Sequence, residues 1–371
     1  MRRATFFYAV KTHTQMEGKS KRGDGCPAYS VIVPVYNRPE EVDELLQSLA
    51  EQTLTDFEVI IVEDGSKRDC KGVVTRYVER IDVKYFAKGN SGPGQSRNYG
   101  VERARGEYII ILDSDVVLPK DYLAAVDTGV KTTGADAFGG PDRAHPSFTD
   151  TQKAISYSMT SFLTTGGIRG GKKKLDKFYP RSFNMGVRRD VYRKLGGFSN
   201  MRFGEDIDFS IRIIKAGYSS VLFDDAWVWH KRRTDMKKFF RQVFNSGIAR
   251  INLYKKYPDS LKAVHLLPAV FTVGVIVLVL TSAVGRVLME YDDVHKWYAL
   301  CALPWVPIIV YAALLLIHSA IRNSSMKIGL LSVVAAFTQL SGYGFGFIVA
   351  WWRRCVRGED EFQAFKNNFY K

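Results

Sequence analysis

The chain has 371 residues, 46% of them hydrophobic, and a formal charge of +15 at pH 7. That length and apolar content suit two units with a packed core, while four scattered cysteines (Cys26, Cys70, Cys301, Cys355) without a C-x-x-C pair argue against a disulfide framework or a zinc cluster. The surplus charge calls for an anionic partner, nucleic acid or membrane, and its position along the chain decides between them.

Residues 1–28 carry Arg2, Arg3, Lys11, Lys19, Lys21 and Arg22 but no continuous apolar run. They read as a flexible basic tail, so the fold is expected to begin at Tyr29. From there strands and helices alternate. Strands are predicted at 30–35, 57–63 and 83–86, and helices over 40–52, 72–80 and 95–105, the first with Val42, Leu45, Leu46 and Leu49 inward. This alternation predicts an α/β domain over 29–230, a mostly parallel sheet with helices on both faces.

The fourth strand is Tyr108-Ile-Ile-Ile-Leu112, followed by Asp113-Ser114-Asp115. Residues i and i+2 of an extended chain point the same way, so both carboxylates can serve one ligand. Two convergent acids suit Mg²⁺ or Mn²⁺, which commonly complete their shells with substrate phosphates. The tripeptide alone is equally a solvated turn. What gives it meaning is the polar residues at the other strand ends, where ligands of such sheets bind. They are Pro34-Val-Tyr-Asn-Arg38 after the first strand, Glu63-Asp-Gly-Ser66 after the second, and Gly89-Asn-Ser-Gly-Pro-Gly-Gln-Ser-Arg-Asn98 after the third. Asp64 can accept from a nucleobase or ribose, Tyr36 can offer a ring face, and Arg97 at a helix start can meet negative charge.

This ordered set resembles the family 2 glycosyltransferases with a GT-A fold, over residues 30 to about 225. The resemblance implies inverting transfer from a nucleotide-sugar, UDP- or GDP-linked. It also implies a donor site at Pro34, Tyr36, Asn37, Asp64, Arg97, Asp113 and Ser114, and a Mn²⁺ or Mg²⁺ site at Asp113 and Asp115.

Beyond Pro119 the pattern loosens. Phe138-Gly-Gly-Pro141 reads as a backbone wall beside the sugar, Lys172–Lys174 as a mobile basic loop, and Ser182–Arg188 as a strand. Ile207, Ile211 and Ile214 recur at helical spacing, so a helix begins near Glu205 and places Glu205 and Asp206 in its first turn, where the macrodipole stabilises carboxylates. Inverting transfer needs one general base. The resemblance assigns this place to the Glu-Asp pair, with Asp206 expected as base, Glu205 as a sugar or acceptor contact, and Asp208 serving the helix. Ala226-Trp-Val-Trp-His230 predicts a strand that delivers His230 as a further metal ligand, although a structural imidazole fits the same position. No Gln-x-x-Arg-Trp occurs, which favours addition of a single sugar over processive extension.

Residues 231–258 form a basic amphipathic segment in which Phe239, Phe240, Val243, Phe244, Ile248 and Ile251 share one helical face. It is followed over 259–355 by three uncharged runs, 263–285, 297–321 and 328–352, each long enough to span a bilayer, and then by a polar tail, 356–371. The charge therefore belongs at anionic lipid rather than nucleic acid. The expectation is a multi-pass protein of the cytoplasmic (inner) membrane with its catalytic domain in the cytoplasm, acting on a lipid-linked or other membrane-associated acceptor. A processive polysaccharide synthase and a non-catalytic membrane-tethered nucleotide-binding scaffold are the alternatives. Three full spans would leave Arg353, Arg354 and Arg357 on the far side, unless the glycine-rich third run does not cross.

Overall fold

The computed structural model describes residues 26–145, 147–165, 178–201, 203–288 and 301–362. The expected basic tail, the Lys172–Lys174 loop, most of the connection after the first apolar run and the end of the polar tail lie outside them.

The first half is built as the periodicity predicts: β1 (Tyr29–Val35), α1 (Pro39–Ala50), β2 (Phe57–Asp64), α2 (Lys71–Thr75), β3 (Val83–Lys88), α3 (Pro93–Glu102) and β4 (Tyr108–Leu112). Helix α1 begins on Pro39 with Glu40 and Glu41 in its first turn, both favoured at a helix start. Helix α2 is a single turn where a longer helix was expected. There follow β5 (Val116–Val117), α4 (Tyr122–Thr133), β6 (Ala137–Gly139), β7 (Asp142–Arg143), α5 (Asp150–Thr160), α6 (Phe162–Thr165), β8 (Asn184–Arg188), α7 (Arg189–Lys194), α8 (Glu205–Lys215), β9 (Ser220–Leu222) and β10 (Val228–His230).

The main sheet runs β3-β2-β1-β4-β8-β6-β9. Strands β3, β2, β1 and β4 are parallel, and β8 runs antiparallel between β4 and β6. Alternate residues of the central strands supply two cores. Val31, Val33, Val59, Ile61 and Ile110 pack with Leu45, Leu46, Leu49 and Tyr122 on one face. Ile32, Ile60, Val62, Ile109 and Ile111 pack with Val101, Tyr192, Phe209 and Ile213 on the other. Each such aliphatic side chain contributes about 1.5–3 kcal/mol on burial, so the strand ends above this sheet are held firmly.

The antiparallel β8 matters for the site. Its register pairs Asn184 with Leu112, so the residues entering β8 meet those leaving β4. A second sheet, β5-β10-β7, brings His230 opposite Val116.

The remaining helices are α9 (Met236–Lys256), α10 (Leu267–Leu288), α11 (Val306–Asn323) and α12 (Met326–Trp351). The last three are long and apolar enough to cross a membrane. The basic segment differs from expectation in one respect: the apolar face of α9 is covered by α12. Phe239 and Val243 pack with Ala335, and Ile248 and Ile251 with Phe347 and Ala350.

Candidate active site

At the end of β4, Asp113 is the more open carboxylate, its side chain 31% exposed against 10% for Asp115. Ser114 between them is buried. His230, delivered by β10, stacks on Phe183 with centroids 4.9 Å apart and sets Nε2 3.3 Å from Asp115 Oδ1. One ligand atom from each of Asp113, Asp115 and His230 lies within 4.8 Å of the other two. Asp115 Oδ1 is buried without a hydrogen-bond partner, while the unpartnered His230 Nδ1 lies 3.9 Å from Asp142 Oδ2 and leaves Nε2 facing the acid pair. Two carboxylates and an imidazole, one carboxylate oxygen among them unsatisfied and buried, fit a divalent cation of the Mn²⁺ kind. Burial acts to raise the pKa of Asp115, but His230 and Arg38 outweigh it and hold the group well below the usual carboxylate range. Arg38, which donates to Asp115 Oδ2, belongs to the first loop but was not singled out in the sequence.

Two expected donor-site residues, Asn37 and Asp64, also hold the protein together. Asn37 adopts a positive φ of 55°. Its side-chain oxygen accepts from the backbone N–H of Lys67 (2.8 Å) and Arg68 (3.1 Å), pinning the loop after β2. Asp64 is buried at the end of β2, and both of its oxygens are engaged. Oδ1 accepts from Ser91 N at 2.9 Å and from Lys88 Nζ, and Oδ2 from Gly92 N at 2.9 Å. The carboxylate thus orders the glycine loop that starts α3, and a ligand meets only its remaining lone pairs. Gly65 permits this turn: with φ at 74°, a Cβ there would lie 2.8 Å from Asn90 N. Pro34 and Tyr36 sit half-buried at the same edge.

Arg97 links two groups of acids. Its buried guanidinium donates to Asp113 Oδ1 at 2.8 Å and Glu205 Oε1 at 2.9 Å and lies 5.2 Å from the Phe198 ring centroid. It joins the acids after β4 to the acids of α8.

Helix α8 starts at Glu205 behind Gly204, whose φ of 83° makes the entry turn. Asp206 Oδ1 accepts from Ile207 N at 2.8 Å, and Oδ2 from Arg181 Nε at 2.7 Å. Burial would raise the pKa of Asp206, and Arg181 reverses the shift, so the group sits below its ordinary value. Glu205 goes the other way. Burial, opposed by Arg97 and reinforced by Asp206, lifts it to about 7. Asp208 serves more than its own helix: it accepts from Arg212 Nε (3.0 Å), Tyr257 Oη (2.9 Å) and Lys256 Nζ, fastening the end of α9.

The Phe138–Pro141 glycines answer to packing. A Cβ on Gly140 would lie 1.7 Å from Ala226 O, and one on Gly139 would lie 2.9 Å from Asn184 O. Arg181 carries no motif; only the antiparallel register of β8 brings it to Asp206.

Residues 30–196 match the family model described as glycosyl transferase family 2. An uncharacterized glycosyltransferase of Rickettsia conorii is 42% identical over 94 residues, which are 25% of this chain and 16% of that protein. The chain thus spans about a sixth of that relative's length. Glycosyltransferase AglE of Haloferax volcanii is 26% identical over 253 residues, 67% of this chain and 81% of that protein. The fold is GT-A-like: the structure of mannosyltransferase PcManGT from Pyrobaculum calidifontis, in complex with GDP-Man and Mn²⁺, superposes with a TM-score of 0.55 at 18% identity, over 81% of this chain and 87% of that one.

Proposed function

We infer, for a chain whose residues 30–196 match the glycosyl transferase family 2 model, that it transfers one sugar from a UDP- or GDP-linked donor, with inversion, to a membrane-associated acceptor on the side of the catalytic domain. The observation that carries this reading is the meeting of two acid sets at one sheet edge, Asp113 and Asp115 with His230 and Glu205 with Asp206, bridged by Arg97.

Asp113, Asp115 and His230 would hold a divalent cation, which supplies neutralisation of the donor diphosphate. The reaction then asks little covalent chemistry of the protein. An acceptor oxygen attacks the anomeric carbon, the bond to the diphosphate breaks on the opposite face, and its electron pair leaves with the nucleotide. Asp206 takes the acceptor proton. Its carboxylate is kept ionised by Arg181, so that contact must loosen as the acceptor hydroxyl takes its place. Glu205, protonated over a wider pH range, donates to a sugar or acceptor oxygen rather than competing as base.

The test is nucleotide release by the detergent-solubilised chain from UDP- and GDP-sugars, with Mn²⁺ or Mg²⁺ and with chelator, using a membrane lipid extract as acceptor source. Metal-dependent release from one donor, raised by the extract, is expected. Asp206→Asn should retain donor affinity and lose about 10²–10⁴ in turnover. Loss of donor binding in that variant would assign Asp206 a structural role.

A further inference from the structure

We propose that α12 does not cross the bilayer. It lies along the membrane surface beneath the catalytic body, and only the α10–α11 hairpin spans. This concerns membrane topology and stands independently of the transferase reading.

The argument begins with how α9 meets α12. Contacts advance together along both helices: Phe239 beside Ala335, Val243 against Gly342, Gly247 against Tyr343 and Phe347, Ile251 beside Ala350. The two therefore run parallel and touch from residue 335 to 350 of α12, about 22 Å at 1.5 Å per residue. Both ends of α9 belong to the catalytic body. Its start follows Lys231, whose N–H donates to Asp115 O at 3.0 Å, and its end is fastened to Asp208 through Lys256 and Tyr257.

Both ends of α12 are tied to that same body. At its start, Lys327 pairs with Asp150 at the head of α5 (2.8 Å). At its end, Cys355 and Phe362 pack into the cluster of Ile248 and Ile251. Were α12 to cross, it would draw α9 through the hydrocarbon with Lys237, Lys238, Arg241, Arg250, Lys255 and Lys256, and would place Lys256 with its partner Asp208 on the far side. Charged side chains in that number are not carried into a bilayer.

The other two helices rise from α12. Helix α10 meets α12 through its first turns, where Gly344 adjoins Pro268 and Thr272 and Phe271 meets Phe337. Helix α11 meets it from Tyr311, whose ring centroid lies 6.2 Å from that of Phe337, through Leu315 beside Ala336 to Ser319, which bonds Ser332 at 2.7 Å. It also touches α5 and α6 through His318 on Tyr157 (2.7 Å) and Tyr311 Oη on Leu163 O (3.0 Å), so that its first turn, with the exposed Val306 and Ile309, is the part that stands clear. Their far ends pair with each other through Trp305 Nε1 and Ser282 Oγ, 3.0 Å apart. Leu280, Val284, Val287, Leu303, Val306 and Ile309, near those far ends, are exposed. Helix α10, 22 residues long, extends about 33 Å, enough for a hydrocarbon layer of roughly 30 Å. The exposed large apolar residues of α12, Met326, Leu330, Val334, Phe345, Val349 and Trp351, with Trp352 just beyond it, fall on one half of its circumference, as a helix resting on the lipid boundary requires. With two spans, Arg353, Arg354 and Arg357 stay on the side of the catalytic domain, which removes the conflict that three spans create with the positive-inside rule.

The experiment is labelling of single cysteines by a membrane-impermeant maleimide in sealed vesicles, using the full chain with Cys26, Cys301 and Cys355 changed to serine; Cys70 is buried. Reporters are Glu79→Cys on the catalytic domain, Asp293→Cys between α10 and α11, and Asp360→Cys and Asn367→Cys after α12. Labelling of both C-terminal reporters from the side of Glu79→Cys, with Asp293→Cys labelled only from the other side or after detergent, is the expected result. C-terminal reporters labelled opposite to Glu79→Cys would overturn the in-plane assignment. Asp293→Cys labelled from the side of Glu79→Cys would overturn the spanning hairpin.

Discussion

Glu205 and Asp206 share one helical turn, yet their guanidinium partners and burial separate their chemistry. Arg181 on Asp206 keeps that carboxylate ionised at 2.7 Å, and removing the cation should raise its pKa. For a base that acts deprotonated, Arg181→Gln is then expected to move the acidic limb of the kcat/KM profile to higher pH, with donor affinity unchanged. A limb that stays in place would assign Arg181 to folding alone. Glu205 gives the opposite dependence on stability. Its pKa rises from 4.5 unfolded to about 7 folded, so between those values the folded state holds a proton that the unfolded state has released. Stability therefore falls as pH rises from about 4.5 to 7, by roughly 1–3 kcal/mol. Thermal unfolding across this range should show the slope, and Glu205→Gln should flatten it. The acids themselves were legible in the sequence because each follows an apolar strand or opens a periodic helix. The cations that set their protonation were less so: Arg181 reaches Asp206 only through strand order, and Arg97 could be read as a cation at a helix start but not as the partner of Glu205, which depends on α8 folding back onto α3.

At the scale of elements, strands β1, β2 and β4 could be read because each is buried on both faces and so appears as an unbroken apolar run. Strands β5, β7 and β9 are two or three residues long and leave no such trace, whereas β10, equally short, could be read from the apolar Ala226–Trp229 run. The partner of α9 was hidden for another reason: an apolar helical face is the same whether lipid or a second helix covers it. The glycines decide it in the structure. A Cβ on Gly346 would lie 2.0 Å from Phe244 O, and one on Gly247 2.3 Å from Tyr343 O, both backbone atoms that cannot swing aside. Gly346→Leu should therefore pry α9 from α12 and cost at least the ~1–3 kcal/mol typical of overpacking. Gly274 on α10 has nothing within 4 Å of its Cβ position, so Gly274→Ala should leave the unfolding temperature in detergent unchanged or slightly raised. Equal effects of the two substitutions would mean that the α9–α12 contact contributes little.

Across the whole molecule, helices α8, α9 and α12 form a stack that connects the acids to the long apolar helices. Gly204, at the start of α8, rests on Ala249 and Leu253 of α9, and α9 rests on α12. Two interaxial steps of about 8–10 Å each put the acid pair at most roughly 16–20 Å from the axis of α12, which under the proposed function is the height at which the acceptor group is met. The same stack makes the apolar helices part of the catalytic body rather than an appended anchor. Ending the chain at residue 260 would uncover Phe239, Val243, Ile248 and Ile251 on α9 together with Ala154, Ile155 and Met159 on α5, an apolar surface continuous enough to drive association. Such a truncation is expected to elute from size exclusion as aggregate without detergent. Deleting the proposed spanning hairpin alone, residues 262–324, with a flexible linker joining Leu261 to Ser325, should retain the α9–α12 contact and yield a species that binds anionic vesicles through α12 and the basic residues, and is released by high salt more readily than the full chain. A monodisperse, vesicle-indifferent truncation at 260 would show instead that α9 needs no cover, and that the catalytic body stands apart from its membrane helices.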